Sequence, residues 1–582
     1  MSIGWAIPGI SFLILLLRNK TTTYESLNLN KHKVVRFYQS LQLKEKIILG
    51  VISFFIVLLF IQGLLYPPNN WDSLTYHLSR IMYWIGNESV SHFPTNILRH
   101  LYQPPFAEYF ILHLNLLNGN DYLSNSVQLF FLIQILFVVY AILGLLNIPR
   151  FLKLLALFLV ITIPAVELQS TTTKNDIVCA FFMLTAVYFV IKSFQKSPLE
   201  NYFFLGLAIG LGFLTKGTAY LFLAPVLFCF GISESHKLWT SKNIIILKNC
   251  FISALIALFI NTGHYSRNYA INQNILSIDN TESEKLSNEA MNSKLLLSNL
   301  IKNSGLHLGY PIRESSDSLV RNIHKKIDVS IDDKRLNFLD LPYEGARETT
   351  NEDYVPNTLV FFLAIISFLI ITIRFFVCRP YNKTALVIVL IIGSQILLFA
   401  GFLKWQPWHT RLHIPIFILS VISIIFACQS SKWYKRFVLV CVPILLYSFV
   451  FYFLYNNLRP IIHDPQYTKS IRISDSRFKK YFANQPMLYK EYSTILNQIY
   501  DTTPRKIGLN LADWEYPLLH SFYYDNLKLV AINVGNCTKK IKQDETNIDL
   551  IVSNTNTPFM LLNGVKYSNQ NSTHSYIWLY TK

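Results

Sequence analysis

Cysteine is scarce in this chain, with seven in 582 residues, and no two stand in a CxxC pattern. Six of them, Cys179, Cys229, Cys250, Cys378, Cys428 and Cys441, lie in or beside apolar blocks, and only Cys537 lies in polar sequence. That excludes a disulfide scaffold and a thiolate metal site read from spacing. Acids are also short: 34 Asp and Glu face 52 Lys and Arg, a formal charge of +18. In a soluble protein that balance suggests nucleic acid. Here much of the positive charge falls in short loops between apolar blocks, which is a topology signal and excludes that partner. There is no GxGxxG fingerprint, since GLNLADWE (residues 508–515) departs from it, so no nucleotide site is assigned. No metal site of HxxxH or HExxH spacing is assigned among His77, His92, His100, His113, His264, His409 and His413. Internal repeats and low-complexity runs are missing too.

What is present is apolar sequence, 52% of all residues, gathered into runs long enough to cross a bilayer core. The runs are 3–17, 47–66, 126–147, 151–168, 177–191, 202–215, 218–232, 244–262, 357–377, 385–403, 412–428 and 437–455. The chain reads as a polytopic α-helical membrane protein of about twelve spans. No basic residue precedes the first run, and Arg18 and Lys20 follow it. That is not a cleaved signal, and it places the N-terminus outside. Basic segments at 18–46, 150–153, 192–196, 237–248, 378–383 and 432–436 alternate onto one side, taken as cytoplasmic. The opposite side then holds an outer loop at 67–125, the turn 169–176, the turn at Lys216, an outer loop at 266–356 and the link 404–411. Residues 282–302 read as an amphipathic surface helix with Leu286, Leu295, Leu296 and Leu300 inward. Residues 1–456 form the membrane domain. Residues 457–582 read as a small α/β extracytoplasmic domain, with strands at 506–511, 527–534, 548–553 and 574–580 and a helix at 514–523.

The chemistry is sought at the outer ends of the spans. Asp72 lies six residues past the second run, beside Trp71, Tyr76, His77 and Arg80. A carboxylate there can take a proton from an acceptor hydroxyl or amine, although Asp before SLTYHLSR is also a good helix cap. Asp176 opens the run at 177, where a helix dipole alone favours an acid. Lys216, in GLGFLTKGTAY, separates two apolar half-segments with almost no loop; an ionisable group so placed is a functional candidate. Arg267 follows the eighth run, and Lys404 and Arg411 bracket KWQPWHTR. Basic side chains at a bilayer edge commonly snorkel to lipid phosphates. Four at outer ends, against the charge trend, suit the phosphate of a lipid-linked substrate. No cofactor is assigned; if a divalent metal takes part, His264 is the candidate ligand.

With these pieces in order, the chain resembles the GT-C superfamily of membrane glycosyltransferases. Within it, the likeness is to the protein O-mannosyltransferase, aminoarabinose-transferase and RgtA/B/C/D-like group. The likeness rests on WDSLTYHL with Asp72, QPPFAEYFILHL, TKNDIVCAFF with Asp176, GLAIGLGFLTKG with Lys216, HYSRNY with Arg267 and WHTRLHIPIF with Arg411. The resemblance implies transfer of one sugar from a polyprenyl-phosphate sugar to a lipid, glycan or protein acceptor at the outer face of the membrane, and the expected location is a bacterial inner membrane. It makes Asp72 the base, Asp176 the second acid, and Lys216, Arg267 and Arg411 neighbours of the donor phosphate. Two departures stand out. Asp72-Ser73 replaces the Asp-Glu of many relatives, and Gly263-His264-Tyr265 stands where they carry Pro-Trp. An O-antigen-type polymerase also has about a dozen spans and arginine-bearing outer loops. A transporter would place its charges at mid-membrane depth and show paired repeats.

Overall fold

The computed structural model describes residues 35–195, 198–276, 284–377, 383–522, 527–570 and 576–582. The apolar run 3–17 and the basic segment 378–382 therefore lie outside the described residues. Among the described residues, eight helices are long and apolar enough to cross a membrane. They are α1 (Leu43–Leu65), α4 (Ser126–Leu145), α6 (Asp176–Gln195), α8 (Ala219–Ser241), α9 (Ile245–Asn272), α12 (Thr358–Val377), α13 (Lys383–Phe402) and α15 (Lys432–Leu454). Two shorter apolar helices, α7 (Leu199–Phe213) and α14 (Ile414–Ser430), complete the bundle. The run 151–168 is not one span: it breaks at Thr162 into α5 (Arg150–Ile161) and a buried turn of helix at Pro164–Gln169. Proline at the first position of that turn cannot donate into the preceding helix, so the chain bends there. Connecting helices are α2 (Leu78–Gly86), α3 (Phe106–Asn118), α10 (Ser293–Gly305) and α11 (Arg313–Ile327).

The lipid-facing helices keep large side chains on their surface: Phe54, Phe137, Phe228, Phe259 and Ile373 are all exposed. Helix α14 is the opposite: every residue from Ile414 to Cys428 is buried, so it is the axis of the bundle. Helices α7 and α9 approach closely through GLAIG. A Cβ on Gly206 would lie 2.6 Å from the Ser253 carbonyl oxygen, and one on Gly210 would lie 2.9 Å from the Ala257 Cα. Small residues at that spacing let two backbones meet. The contact fixes the end of α7, where Lys216 follows, against the helix that carries Arg267.

The expected surface helix at 282–302 is shorter and later. Residues 282–283 lie outside the described residues, and α10 starts at Ser293 under an Asn292 side chain that accepts from the Leu295 amide at 2.9 Å. Leu286 is not part of it. Among the described residues, the C-terminal sheet holds six strands: β1 (Lys506–Asn510), β2 (Lys528–Ala531), β3 (Leu550–Ser553), β4 (Phe559–Leu562), β5 (Val565–Asn569) and β6 (Trp578–Thr581), in the order β2-β1-β3-β6-β5-β4. The first three are parallel, and the rest are antiparallel. A six-residue helix, Tyr516–Ser521, separates β1 from β2. Hairpin β4–β5 turns at Asn563-Gly564, both at positive φ, the dipeptide that such a turn favours.

This sheet is anchored to the membrane helices. Asp121, between α3 and α4, accepts from the Tyr481 hydroxyl at 2.6 Å and the Tyr516 hydroxyl at 3.0 Å, and pairs with Arg477 at 2.5 Å. The anchorage places Trp514 edge-on to Trp71, with ring centroids 5.6 Å apart.

Candidate functional site

Asp72 is not the cap that its position suggested. The Ser73 amide and hydroxyl both donate to the Asn70 side chain, at 2.9 and 2.7 Å. Asn70 therefore does the capping, and the Asp72 carboxylate is left to point elsewhere. One turn of wide π-helix, Ser73–His77, follows it, a local distortion that is common at functional sites. The carboxylate meets Arg411, with Nη2 2.7 Å from Oδ2, and Arg99 Nη1 lies 3.9 Å from Oδ1.

Arg411 joins three acids. Its Nε is 3.2 Å from Asp353 Oδ1 and its Nη1 is 3.9 Å from Asp176 Oδ2. Asp176 in turn holds Lys216, whose Nζ lies 2.7 Å away and also donates to Asn175 at 3.0 Å. Lys174 pairs with Asp353. Residues far apart in the sequence thus form one network at one end of the bundle, buried at Asp176 and Lys174 and open toward solvent at Arg99. Its members are Asp72, Asp176 and Asp353, with Arg99, Lys174, Lys216 and Arg411. Burial alone would push the Asp72 carboxyl up. The charges of Arg411, Lys174 and Arg99 outweigh that and hold it far below the usual carboxylate range.

The neighbouring segments are stitched together beneath the network. Thr173 donates to Ser73 at 2.5 Å, joining the 169–176 turn to the π turn. The Phe106 amide donates to the Leu214 carbonyl at 2.9 Å, joining the Pro104-Pro105 bend to the Lys216 turn. Arg459, fully buried, donates to Asn69 at 3.0 Å and to Thr171 at 3.1 Å, and pairs with Glu352 at 2.9 Å. Each of those three residues lies in a segment that carries one acid of the network.

The other sequence candidates separate. Arg267 lies off the network and donates to the Tyr109 hydroxyl at 3.0 Å; among the described residues it has no carboxylate partner. Lys404 is also apart, turned into the 266–356 loop, where it pairs with Glu289. Lys404 and Arg411 stand at opposite ends of one short link, and only the second faces the acids. Arg80 and His77 share the buried Glu108, Arg80 at 3.4 Å. Trp71 packs on Trp514, and the Tyr76 ring lies under Arg99, 5.2 Å from the guanidinium carbon. Asp353, Lys174, Arg99 and Arg459 were not anticipated. Asp353 meets the same criterion that picks out Asp72, an acid within six residues of a span.

His264 is engaged as a donor, with Nε2 3.2 Å from the Tyr102 carbonyl oxygen. One metal-type spacing does exist, His409 and His413, four apart. His409 Nδ1 meets the Asn303 side-chain oxygen at 2.8 Å, and His413 Nδ1 meets His307 Nε2 at 2.9 Å. No group of three His, Cys, Asp or Glu among the described residues is arranged to hold a metal ion. The three network acids already surround Arg411, so as they stand they do not fit a metal.

A groove of about 1000 Å³ opens between α8 and α13, lined by Pro225, Phe228, Ile232, Leu390 and Leu397 among others. It is almost wholly apolar, and it runs along the helix that Lys216 immediately precedes.

Residues 102–261 match the family model described as dolichyl-phosphate-mannose-protein mannosyltransferase. That span includes Lys174, Asp176 and Lys216. No curated protein matches the chain. Among solved structures, the fold is similar to ArnT from Cupriavidus metallidurans bound to undecaprenyl phosphate, at 10% identity and a TM-score of 0.48, over 93% of this chain and 98% of that one. It is also similar to the Archaeoglobus fulgidus oligosaccharyltransferase in complex with zinc and sulfate, at 13% identity and a TM-score of 0.39, over 86% of this chain and 68% of that one.

Proposed function

We propose that this chain is a membrane glycosyltransferase of the GT-C kind and moves a single sugar from a polyprenyl-phosphate donor to an acceptor hydroxyl or amine; the family match over residues 102–261 supports this reading. The reading places the reaction at the outer face of a bacterial inner membrane. The observation that carries it is the joining of Asp72 to Lys216 through Arg411 and Asp176 in one polar network. Asp72 takes the acceptor's proton as its oxygen or nitrogen attacks the anomeric carbon. The bond from that carbon to the phosphate oxygen breaks on the opposite side, and the configuration inverts. Lys216 and Arg411 stabilise the charge that grows on the leaving phosphate. Arg267, a cation without a carboxylate partner among the described residues, anchors the phosphate from α9. The apolar groove between α8 and α13 offers a surface for the isoprene units of the donor. The acceptor, whether lipid, glycan or protein, enters beside Trp71 and Tyr76, under the C-terminal sheet. The network residues supply the positive charge themselves, and no step is routed through a metal.

The test is incubation of the purified protein with a panel of polyprenyl-phosphate sugars and membrane extracts. One sugar should be consumed, with one residue added per acceptor. Asp72→Asn should fold normally and lose at least a hundredfold in turnover. Near-normal turnover in that variant refutes the assignment of the base, and a product ladder shifts the reading to a polymerase.

A further inference from the structure

The 2.7 Å contact between Arg411 and Asp72 sets two demands against each other. As a base, Asp72 must accept a proton, yet its carboxylate lies against a buried guanidinium with Arg99 on its other oxygen. A carboxylate held so firmly ionised is a poor proton acceptor. Arg411 is not committed to Asp72 alone. Its Nε rests against Asp353 at 3.2 Å and its Nη1 stands 3.9 Å from Asp176. The Nε contact can persist while the two terminal nitrogens change partners. The side chain is carried by a four-residue helix, His409–Leu412, whose Thr410 hydroxyl donates to the Asp353 carbonyl at 2.7 Å. The short helix that carries Arg411 is therefore tied to the Asp353 backbone through Thr410, and Arg411 Nε stays beside the Asp353 carboxylate as an ion pair. Asp72 is the partner that can be exchanged.

We propose that Arg411 transfers its ion pair from Asp72 to the donor phosphate as the glycosidic bond breaks. Proton arrival at Asp72 and charge build-up on phosphate then become one event. This rests on Asp72 acting as the base. The charges balance. The donor is a phosphodiester with one negative charge, and Asp72 carries another. The acceptor oxygen forms its bond to the anomeric carbon and passes its proton to Asp72. The electron pair of the breaking bond goes to the phosphate oxygen, leaving a phosphate monoester with two negative charges and a neutral Asp72. One unit of negative charge has moved from the carboxylate to the phosphate, and the guanidinium between them follows it. A lysine carries the same charge but has a single nitrogen, so it cannot keep Asp353 while it moves from one anion to the other. Before donor binds, the same contact keeps Asp72 from acting on stray hydroxyls.

The proposal is tested by proton linkage. The full-length protein in detergent is titrated calorimetrically with undecaprenyl phosphate, the expected leaving group, at pH 6 in two buffers of different ionisation enthalpy. The buffer dependence of the heat gives protons taken up per phosphate bound. The wild type should take up several tenths of a proton more than Asp72→Asn, a difference that cancels the titration of the phosphate itself. Arg411→Lys should bind undecaprenyl phosphate within about threefold of wild type and yet lose at least tenfold in turnover. Equal proton uptake by wild type and Asp72→Asn, with sugar transfer intact, overturns the exchange of partners but leaves the proposed reaction standing. Wild-type turnover in Arg411→Lys also overturns it. Failure to bind undecaprenyl phosphate or to transfer any sugar overturns the proposed reaction, and this inference with it.

Discussion

Arg459→Met gives the sharpest test of how the site is held. Arg459 and Glu352 are both fully buried and lie 2.9 Å apart. Removing one member of such a pair strands the other charge, at a cost of about 3–5 kcal/mol. Methionine fills much of the same volume, so a cavity adds little. Asn69 and Thr171 lose a donor each, which adds about 1 kcal/mol apiece where water does not enter. The two single variants should differ in kind. In Arg459→Met, the stranded carboxylate escapes by taking up a proton, so the penalty shrinks as pH falls, by at most about 1.4 kcal/mol per pH unit. In Glu352→Gln, the stranded guanidinium cannot give up its proton, so the penalty stays flat with pH. Replacing both residues with apolar ones should recover part of the loss. Titration with SDS in mixed micelles, followed by tryptophan fluorescence at pH 6 and pH 8, measures all four proteins. A cost below about 1 kcal/mol for Arg459→Met, or equal pH slopes in the two single variants, would refute the reasoning.

Two further outcomes follow from the same geometry. Lys216→Met removes the cation held by Asp176 and Asn175 and should lower turnover by roughly a hundredfold or more, measured as label released from a polyprenyl-phosphate sugar. Burial pushes the Glu515 carboxyl up to about 8, with Tyr83 opposing and Asp513 adding to the effect. The folded protein then holds a proton that the unfolded chain has lost. The stability contributed by this group is present below about pH 4.5, declines between there and pH 8, and is flat above. Thermal melts at pH 5 and pH 8 should therefore separate by less in Glu515→Gln than in wild type, and an unchanged separation counts against it.

The apolar blocks were legible because a bilayer imposes a length on helices that few other environments do. Asp72, Asp176, Lys216 and Arg411 were legible because an ionisable side chain at the end of a span is costly to place without a use. What sequence could not supply was direction around the helix axis. Lys404 and Arg411 lie in the same link with the same polarity, yet one turns to Glu289 and the other to Asp72. The cap reading of Asp72 failed for a comparable reason: Asn70, two residues earlier, reached the Ser73 amide first. Asp353 obeys the rule that marks Asp72, but it lies at the end of a long polar loop that holds several other acids. The β4–β5 hairpin also carried its signal, Asn563-Gly564 between two apolar runs. The strand read at 574–580 begins at Trp578, and residues 571–575 lie outside the described residues.

The charges of the network make a last claim. Four cations, Arg99, Lys174, Lys216 and Arg411, face three carboxylates, Asp72, Asp176 and Asp353. A phosphodiester donor makes the two signs equal. After transfer, the phosphate carries a second negative charge while Asp72 has been neutralised, so the signs are equal again. Arg267, at the phosphate in the proposed reaction, adds the same positive charge to both states, so the net charge of the site does not change on transfer, which keeps the product from binding much more tightly than the donor. Asp353→Asn breaks this by adding one unit of positive charge. Two unit charges about 8 Å apart interact by roughly 2 kcal/mol at an effective dielectric of about 20. Undecaprenyl phosphate should accordingly bind Asp353→Asn more tightly, by up to about thirtyfold. Turnover should become limited by its release, seen as a burst of sugar transfer followed by a slow steady state. Weaker binding of undecaprenyl phosphate by Asp353→Asn would mean that Asp353 acts by holding Arg411 and Lys174 in place rather than by setting the charge of the site.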